Sequence, residues 1–486
     1  MYESKYRRFM IHNSVRFAEE TEIKNSLKPI ADGSGVPMYS NKEEVFVDDS
    51  DNHTIVIGPT GCKKTRLTVM TAVASVINRG ESAVINDPKG EIYRNTAHLA
   101  AEHGANVYVL NLRNTKKSNS WNPLAQAHFA QKSGNTEEAI QYINDIAEAL
   151  VTPALKDTND RYWIDCAKQL LISLCLMMVD SLPIEYCNIT NLIQFCFEEN
   201  AKGLKTVLSK MDQKSTAAFG LHTVLDLEAE KTKSCIYSTM MSILTPFIQN
   251  SGLLNILSGN TIQLEQLGRE QAIIYLIYPD EKTSLNFVVN MFFTQCYEIL
   301  LNTATKSEKD KLSVRVNFII DEFSNLTAIN SFENRISEAR SKNIRFFLYI
   351  QSFCQLKQKY KENAEAIISN CNNWICFGSK EVSFLNKVSE ICGKELDYNG
   401  TEHYLISPSN IQYLRKGTDY TEVLIIRQGL YPYVTELPDY SLLDIFKGEA
   451  NASVSLPSEE SVAKFITFDE WVRGISGAIF RLPFAA

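Results

Sequence analysis

Two short runs hold residue types that together can bind a phosphate group and act on it. The first is Gly58-Pro59-Thr60-Gly61-Cys62-Lys63-Lys64-Thr65. It joins a β-branched run, Thr54-Ile55-Val56-Ile57, to a stretch with Leu67, Met70, Val73, Ala74 and Ile77 on one helical face. A glycine-rich turn between a strand and a helix aims its N–H groups and the helix N-terminus at an anion. In that reading Gly58, Thr60 and Gly61 shape the loop, Lys64 reaches the β- and γ-phosphates of ATP, and the Thr65 hydroxyl holds Mg²⁺. The pattern asks for glycine directly before the lysine, and this chain has Lys63. If that position needs φ > 0, a side chain costs about 1–2 kcal/mol, a roughly 5- to 30-fold loss of affinity. As a second phosphate cation, Lys63 would return part of it. The bland alternative is a glycine-rich turn with solvated lysines.

The second run is Val316-Asn317-Phe318-Ile319-Ile320-Asp321-Glu322. A buried strand ending in two carboxylates supplies what phosphoanhydride hydrolysis needs. Asp321 faces the metal through water, and Glu322 polarises the attacking water as general base. An acidic strand exit is common in α/β folds. Its occurrence beside a phosphate loop on one sheet is what points to nucleotide binding. No other run matches it. Cys371 and Cys376 have no nearby His, and His98 and His103, five apart, do not share a helix face. Basic clusters at Arg113 to Lys117 and Lys306 to Arg315 are solvated loops or, less often, surfaces for DNA phosphates. Trp121 reads as an apolar plug under the sheet rather than a base-stacking platform.

These residues need a frame. Strands expected at Thr54–Ile57, Ser82–Asn86 and Asn106–Leu112 alternate with helical spacing, and each strand is nearly all apolar. That is the mark of a parallel sheet covered on both faces. The alternation stops near Pro123. From about Glu137 to Gln263 the spacing is helical, and the sheet then restarts at Ala272–Ile277, Val316–Ile320, Arg345–Ile350 and Trp374–Phe377. We therefore expect an α/β domain, residues 51–130 and 264–440, interrupted by an all-α domain at 131–263. A lead-in at 1–50 and a tail at 441–486 flank it.

With 486 residues, 44% hydrophobic and 22% charged, the chain is of ordinary globular composition, which excludes a wholly disordered or fibrous protein. A net charge of −8 argues against a protein that coats nucleic acid over its whole surface. Eleven cysteines, with no C-x-x-C pair and no signal peptide, read as reduced thiols of a cytoplasmic protein. The longest apolar stretch, Leu170 to Val179, is too short for the ~20 residues of a bilayer span.

Further blocks lie in order along the chain: Asn86-Asp87-Pro88-Lys89-Gly90-Glu91, Ser120-Trp121-Asn122-Pro123-Leu124, Tyr162-Trp163-Ile164-Asp165-Cys166-Ala167, Asp321-Glu322-Phe323 and Tyr349-Ile350-Gln351-Ser352-Phe353-Cys354-Gln355-Leu356. With these the sequence, from about Gly35 to Glu436, resembles the VirD4/TraG-type coupling proteins of conjugative and type IV secretion systems, relatives of the FtsK/HerA DNA pumps. The resemblance implies a RecA-like P-loop NTPase core interrupted by an all-α domain, in a usually hexameric ATPase. Such proteins bring single-stranded DNA with its relaxase, or protein substrates, to the channel proteins of the secretion system.

By position, Lys64 and Thr65 would bind phosphates and Mg²⁺, and Asp321 and Glu322 would form the Walker B pair. Arg340 would be the arginine finger acting in trans, Gln351 the sensor between nucleotide and pore, and Asp87 a residue shaping the pocket. Read from the residues alone, Arg340 is more readily a surface arginine paired with Glu338 or Glu333, with Arg335 and Arg345 as near rivals. The family's usual N-terminal membrane helices are not seen, so we expect attachment through a partner at the inner face of a bacterial membrane, or a soluble branch of the family. Two rival functions are a nucleotide-binding adaptor with little hydrolysis and a FtsK/HerA-like pump of another mobile element.

Overall fold

The computed structural model describes residues 15–152, 161–197, 201–209, 212–279, 285–396, 401–447 and 462–475. These fall into two units. The first holds the described parts of 1–108, 265–277 and 300–454, and the second those of 109–264, 278–299 and 455–486.

In the first unit, β1 (Lys28–Pro29), β2 (Pro37–Ser40) and β3 (Val45–Val47) make a small sheet in the order β1-β3-β2. The main sheet is built from β4 (Thr54–Ile57), β5 (Ser82–Asn86), β6 (Asn106–Asn111), β7 (Ala272–Ile277), β8 (Val316–Ile320), β9 (Ile344–Ile350) and β10 (Asn373–Cys376), with two later strands. After a two-stranded ribbon, β11 (Lys394–Leu396) and β12 (Glu402–Tyr404), the chain adds β13 (Tyr420–Arg427) and β14 (Leu430–Pro438). The order across nine strands is β14-β13-β10-β4-β9-β8-β5-β7-β6.

From β10 through β7 each neighbouring pair is parallel, whereas β13 and β14 are antiparallel additions at one edge. Every residue of β4, β8 and β9 is buried. Helices on both faces leave no wet side, so these strands read as apolar runs rather than alternations.

Two arginines interrupt that pattern at the N-terminal end of the sheet. Arg345, at the start of β9, is 1% exposed. Its guanidinium donates to Asn317 Oδ1 (2.8 Å), Glu81 Oε2 (2.9 Å), Ser34 Oγ (2.9 Å) and the carbonyls of Ser34, Asp48 and Ser50. Arg427 of β13 donates to Asp48 (2.9 Å) and to Ser26 Oγ (2.7 Å). A buried guanidinium is tolerated only where its donors are satisfied, and here the lead-in supplies most of the acceptors.

The second unit is helical. Its longest described helix, Arg161–Ser181, packs against Thr136–Val151, Thr216–Leu225 and Glu230–Ile248. By length and composition this helix is long and apolar enough to cross a bilayer, unlike the shorter run expected from sequence. It is, however, 67% buried over that span, as a core helix is.

Beyond the end of β6, residues 112–130, and likewise 278–299, expected with the sheet, cluster with the helices. The Trp121 ring packs edge-on against Phe292 (4.9 Å), and Gln295 Nε2 donates to the Pro123 carbonyl (2.7 Å). Trp121 is thus a buried plug, but of the helical unit. Within the tail, Phe468–Ile475 is a helix whose Trp471 ring stacks on Phe195 at 4.2 Å. All eleven cysteines are unpaired, and no group of three or more metal-ligating residues exists among the described residues.

Candidate functional site

Strand register gathers the candidate residues at one edge of the sheet. Ile57 pairs with Ile350, so Gly58 and Gln351 leave adjacent strand ends together. Asn86 pairs with Ile320, so Asp87 and Asp321 do likewise. A crevice outside the carboxyl ends of parallel strands is where such sheets bind ligands.

The loop runs from Gly58 into a helical turn at Thr65–Val69 that closes with the wider i→i+5 bond, Met70 N–H to Thr65 O, before the α-helix Met70–Asn78. A Cβ on Gly58 would meet Cys62 Sγ at 2.6 Å and Phe377 Cβ at 2.7 Å, so only glycine fits there. Gly61 takes φ +79°. Thr60 lies exposed at the loop tip. Lys64 is buried, and its ammonium donates to the Gly58 carbonyl at 2.6 Å. The Thr65 hydroxyl donates to Asp321 Oδ2 at 3.0 Å, across 256 residues of sequence and past the intervening β9.

Asp321 is held in place by its neighbours. Asn86 Nδ2 donates to its carbonyl (2.5 Å) and the Glu322 amide to its Oδ1 (3.0 Å). Burial and then the Glu322 carboxylate push the Asp321 carboxyl up to about 7, with Lys64 and the Thr65 hydroxyl pulling the other way and Asp87 adding to the push. An acid so crowded by acids favours a cation. A hydroxyl and a carboxylate are oxygen ligands of the kind that suits Mg²⁺.

Glu322 sits in the left-handed region, φ +53°. This backbone geometry turns its carboxylate to accept from Gln351 Nε2 at 2.9 Å. Gln351 in turn accepts from Gln355 at 3.4 Å, and Gln355 from Ser324 at 3.0 Å. Asp87 lies beside Asp321 in register, but its carboxylate accepts the Tyr93 amide (2.8 Å) at the start of helix Glu91–Glu102. Burial raises it to about 6 against the pull of the Tyr93, Ile92 and Glu91 amides.

Two residues lie elsewhere. Lys63 takes φ +72°, and its ammonium donates to the carbonyls of Thr418 (2.7 Å) and Gly417 (3.0 Å) rather than into the loop. Arg340 follows helix Phe332–Ala339 at the start of β9, the end of the sheet opposite the loop. It is exposed, and its charge acts on the His53 ring, disfavouring protonation there. Glu333, a sequence candidate for its partner, instead accepts from Asn363. Of its rivals, Arg345 is locked in the buried network and Arg335 donates to the Asn330 carbonyl.

No motif points to Arg66, whose guanidinium grips Asp439 through two bonds (2.6 and 2.7 Å) and lies over the Tyr440 ring (4.7 Å). Its partner is 373 residues away. Asn86 stood within a recognised block without a role.

A parallel sheet with the loop strand β4, the Gln351 strand β9, the acidic strand β8 and the Asp87 strand β5 side by side defines a RecA-like P-loop core. The chain belongs to the family described as type IV secretory system conjugative DNA transfer, which it matches over residues 11–396. It is similar to two conjugal transfer proteins TraG from Escherichia coli, at 22% identity over 429 residues and 20% over 420. Each alignment covers 79% of this chain, which spans 64% of the length of these relatives. Among solved structures, the plasmid coupling protein TrwB in complex with ADP and Mg²⁺ superposes with a TM-score of 0.62 at 12% identity. Its complex with a non-hydrolysable ATP analogue gives 0.61 at 13%, and both cover 93% of this chain and 97% of the other.

Proposed function

We propose that this chain is a coupling-type ATPase that hydrolyses ATP at subunit interfaces and drives single-stranded DNA, with its relaxase, or protein substrates towards a type IV secretion channel. The observation that carries the reading is the Thr65–Asp321 contact at 3.0 Å, which joins the phosphate loop to the acidic strand end. The ligands of the TrwB complexes, ADP with Mg²⁺ and an ATP analogue, support the same choice of nucleotide.

In this reading the loop amides from Gly58 to Thr65 and the Lys64 ammonium bind the β- and γ-phosphates. Thr65 and Asp321 hold Mg²⁺, which neutralises charge building on those oxygens. Glu322 accepts the proton of the attacking water, and the Gln351 amide fixes the carboxylate that does so. Asp87 shapes the pocket wall by anchoring the helix beside it.

Arg340 completes the site of a neighbouring subunit. Seven residues of β9 at about 3.3 Å each put it roughly 20 Å from its own phosphate loop, too far to serve in cis. A ring, a hexamer in this family's usual form, gives that exposed guanidinium a neighbour to reach. The working place is the inner face of a bacterial membrane, reached through partner proteins. A second reading, a nucleotide-binding adaptor, draws on Lys63, whose side chain strains the loop at φ +72°.

Steady-state ATP hydrolysis separates the two, measured with and without single-stranded DNA beside Lys64→Ala, in a sample whose oligomeric state is checked by light scattering. Turnover that rises with DNA and disappears in the variant supports the motor. An assembled ring with no turnover above the variant's supports the adaptor.

A further inference from the structure

The lysine that replaces the loop glycine is built into the fold. A non-glycine residue at φ +72° carries a backbone cost that glycine would avoid. Against that cost, Lys63 makes two charge-assisted hydrogen bonds that glycine cannot make, to the Gly417 and Thr418 carbonyls. Their acceptors are not a loose loop. Lys416 bridges to Thr421, the Glu422 amide donates to the Arg415 carbonyl (2.8 Å), and the Glu422 carboxylate accepts the Arg415 amide (2.8 Å). A Cβ on Gly417 would meet the Tyr420 carbonyl at 2.2 Å, so the turn admits no other residue there. This turn leads directly into β13. Between it and the phosphate loop lies a cavity of about 190 Å³, walled by Pro59 to Cys62 on one side and by Gln412, Lys416 and Glu422 on the other.

We infer that Lys63 is a positioning residue: it latches the phosphate loop to the turn 415–422 and so holds the loop in its binding conformation. It acts through the loop backbone and does not contact the phosphates. The effect on nucleotide binding rests on the proposed ATP site; the latch itself does not.

The test compares Lys63→Ala, Lys63→Gly and Lys63→Arg by hydrogen exchange without nucleotide and by the affinities of MgADP and a non-hydrolysable ATP analogue. Loss of the latch makes the amides of 415–422 exchange faster in the Ala and Gly variants, and Arg, which can donate to both carbonyls, restores protection. Ala keeps the strain and loses the bonds, so its affinity for both nucleotides falls about 10-fold. Gly also loses the bonds but relieves the strain, so its loss is smaller.

Unchanged exchange across 415–422 in both the Ala and Gly variants overturns the latch. So does a loss confined to the triphosphate, which marks Lys63 as a phosphate cation. If wild type binds no nucleotide, the ATP reading fails, and the exchange experiment still decides the latch.

Discussion

The placement of Arg340 makes a prediction that single substitutions cannot. Arg340 lies a strand's length, roughly 20 Å, from its own loop. In the proposed ring a subunit would contribute Lys64 to one interface and Arg340 to the next. Lys64→Ala and Arg340→Ala should therefore each be nearly inactive alone, the second by about 10³- to 10⁵-fold with nucleotide affinity kept. Mixed in equal amounts and allowed to exchange subunits, they should regain activity. An interface works only when an Arg340→Ala subunit supplies the loop and a Lys64→Ala neighbour supplies the arginine. With random mixing each condition holds half the time, so about one interface in four is intact, whatever the ring size. The recovered turnover should approach a quarter of wild type, against the ~10⁻³ or less of either variant alone. A coupled-enzyme ATPase assay on co-expressed, differentially tagged chains, purified through both tags, measures it. Co-purified mixed assemblies no more active than the separate variants would refute the trans assignment, as would Arg340→Ala with wild-type turnover.

Other predictions follow from the same geometry. Glu322→Gln should lower turnover by about 10²- to 10⁴-fold while leaving ATP affinity intact. Gln351→Ala, which loses one orienting hydrogen bond, should lower it only about 5- to 10-fold; titration with a fluorescent nucleotide beside the rate assay tells the two effects apart. Arg345→Met strips partners from Glu81 and Asn317 in the buried network and should cost about 3–5 kcal/mol in urea unfolding.

His53 supplies a pH dependence. Its Nδ1 accepts the Phe346 amide, its Nε2–H donates to the Ile336 carbonyl, and Arg340 and Arg345 face it. Burial lowers it from 6.5 to about 3, so between these values the unfolded chain binds a proton that the folded chain does not. Stability should fall as pH drops from about 6.5 towards 3, by up to about 5 kcal/mol. His53→Gln should flatten that slope, and an unchanged slope would show that another group carries it.

How much of this was legible in the sequence follows from range. The loop, its strand and its helix are contiguous, and a parallel strand buried on both faces must be apolar throughout. For both reasons β4, β5, β7 and β8 were read to the residue. The helix after the loop, Met70–Asn78, is capped at Arg79 and followed by Gly80 at φ +70°, a left-handed position that glycine takes without strain. The antiparallel pair β13–β14 went unread. Its members carry Glu422, Arg427 and Glu436 among apolar residues, and its place at the sheet edge is decided by pairing with β10 rather than by its own pattern. Arg66 and Asp439 could not be matched, because nothing local links residues 373 positions apart. The positive φ of Lys63 was anticipated as a condition, whereas the carbonyls that receive its ammonium belong to a turn that no motif marks.

The buried arginines bear on how the protein can be cut. A fragment begun at the first strand of the main sheet, near residue 51, would discard Ser26, Ser34 and Asp48, and leave Arg345 and Arg427 in the interior with orphaned donors. One ended after β14 would discard Asp439 and Tyr440 and release Arg66, the residue next to Thr65. The smallest piece that preserves the nucleotide site therefore starts before Ser26 and runs past Tyr440. The phosphate loop, though local in sequence, is clasped by residues far to either side of it.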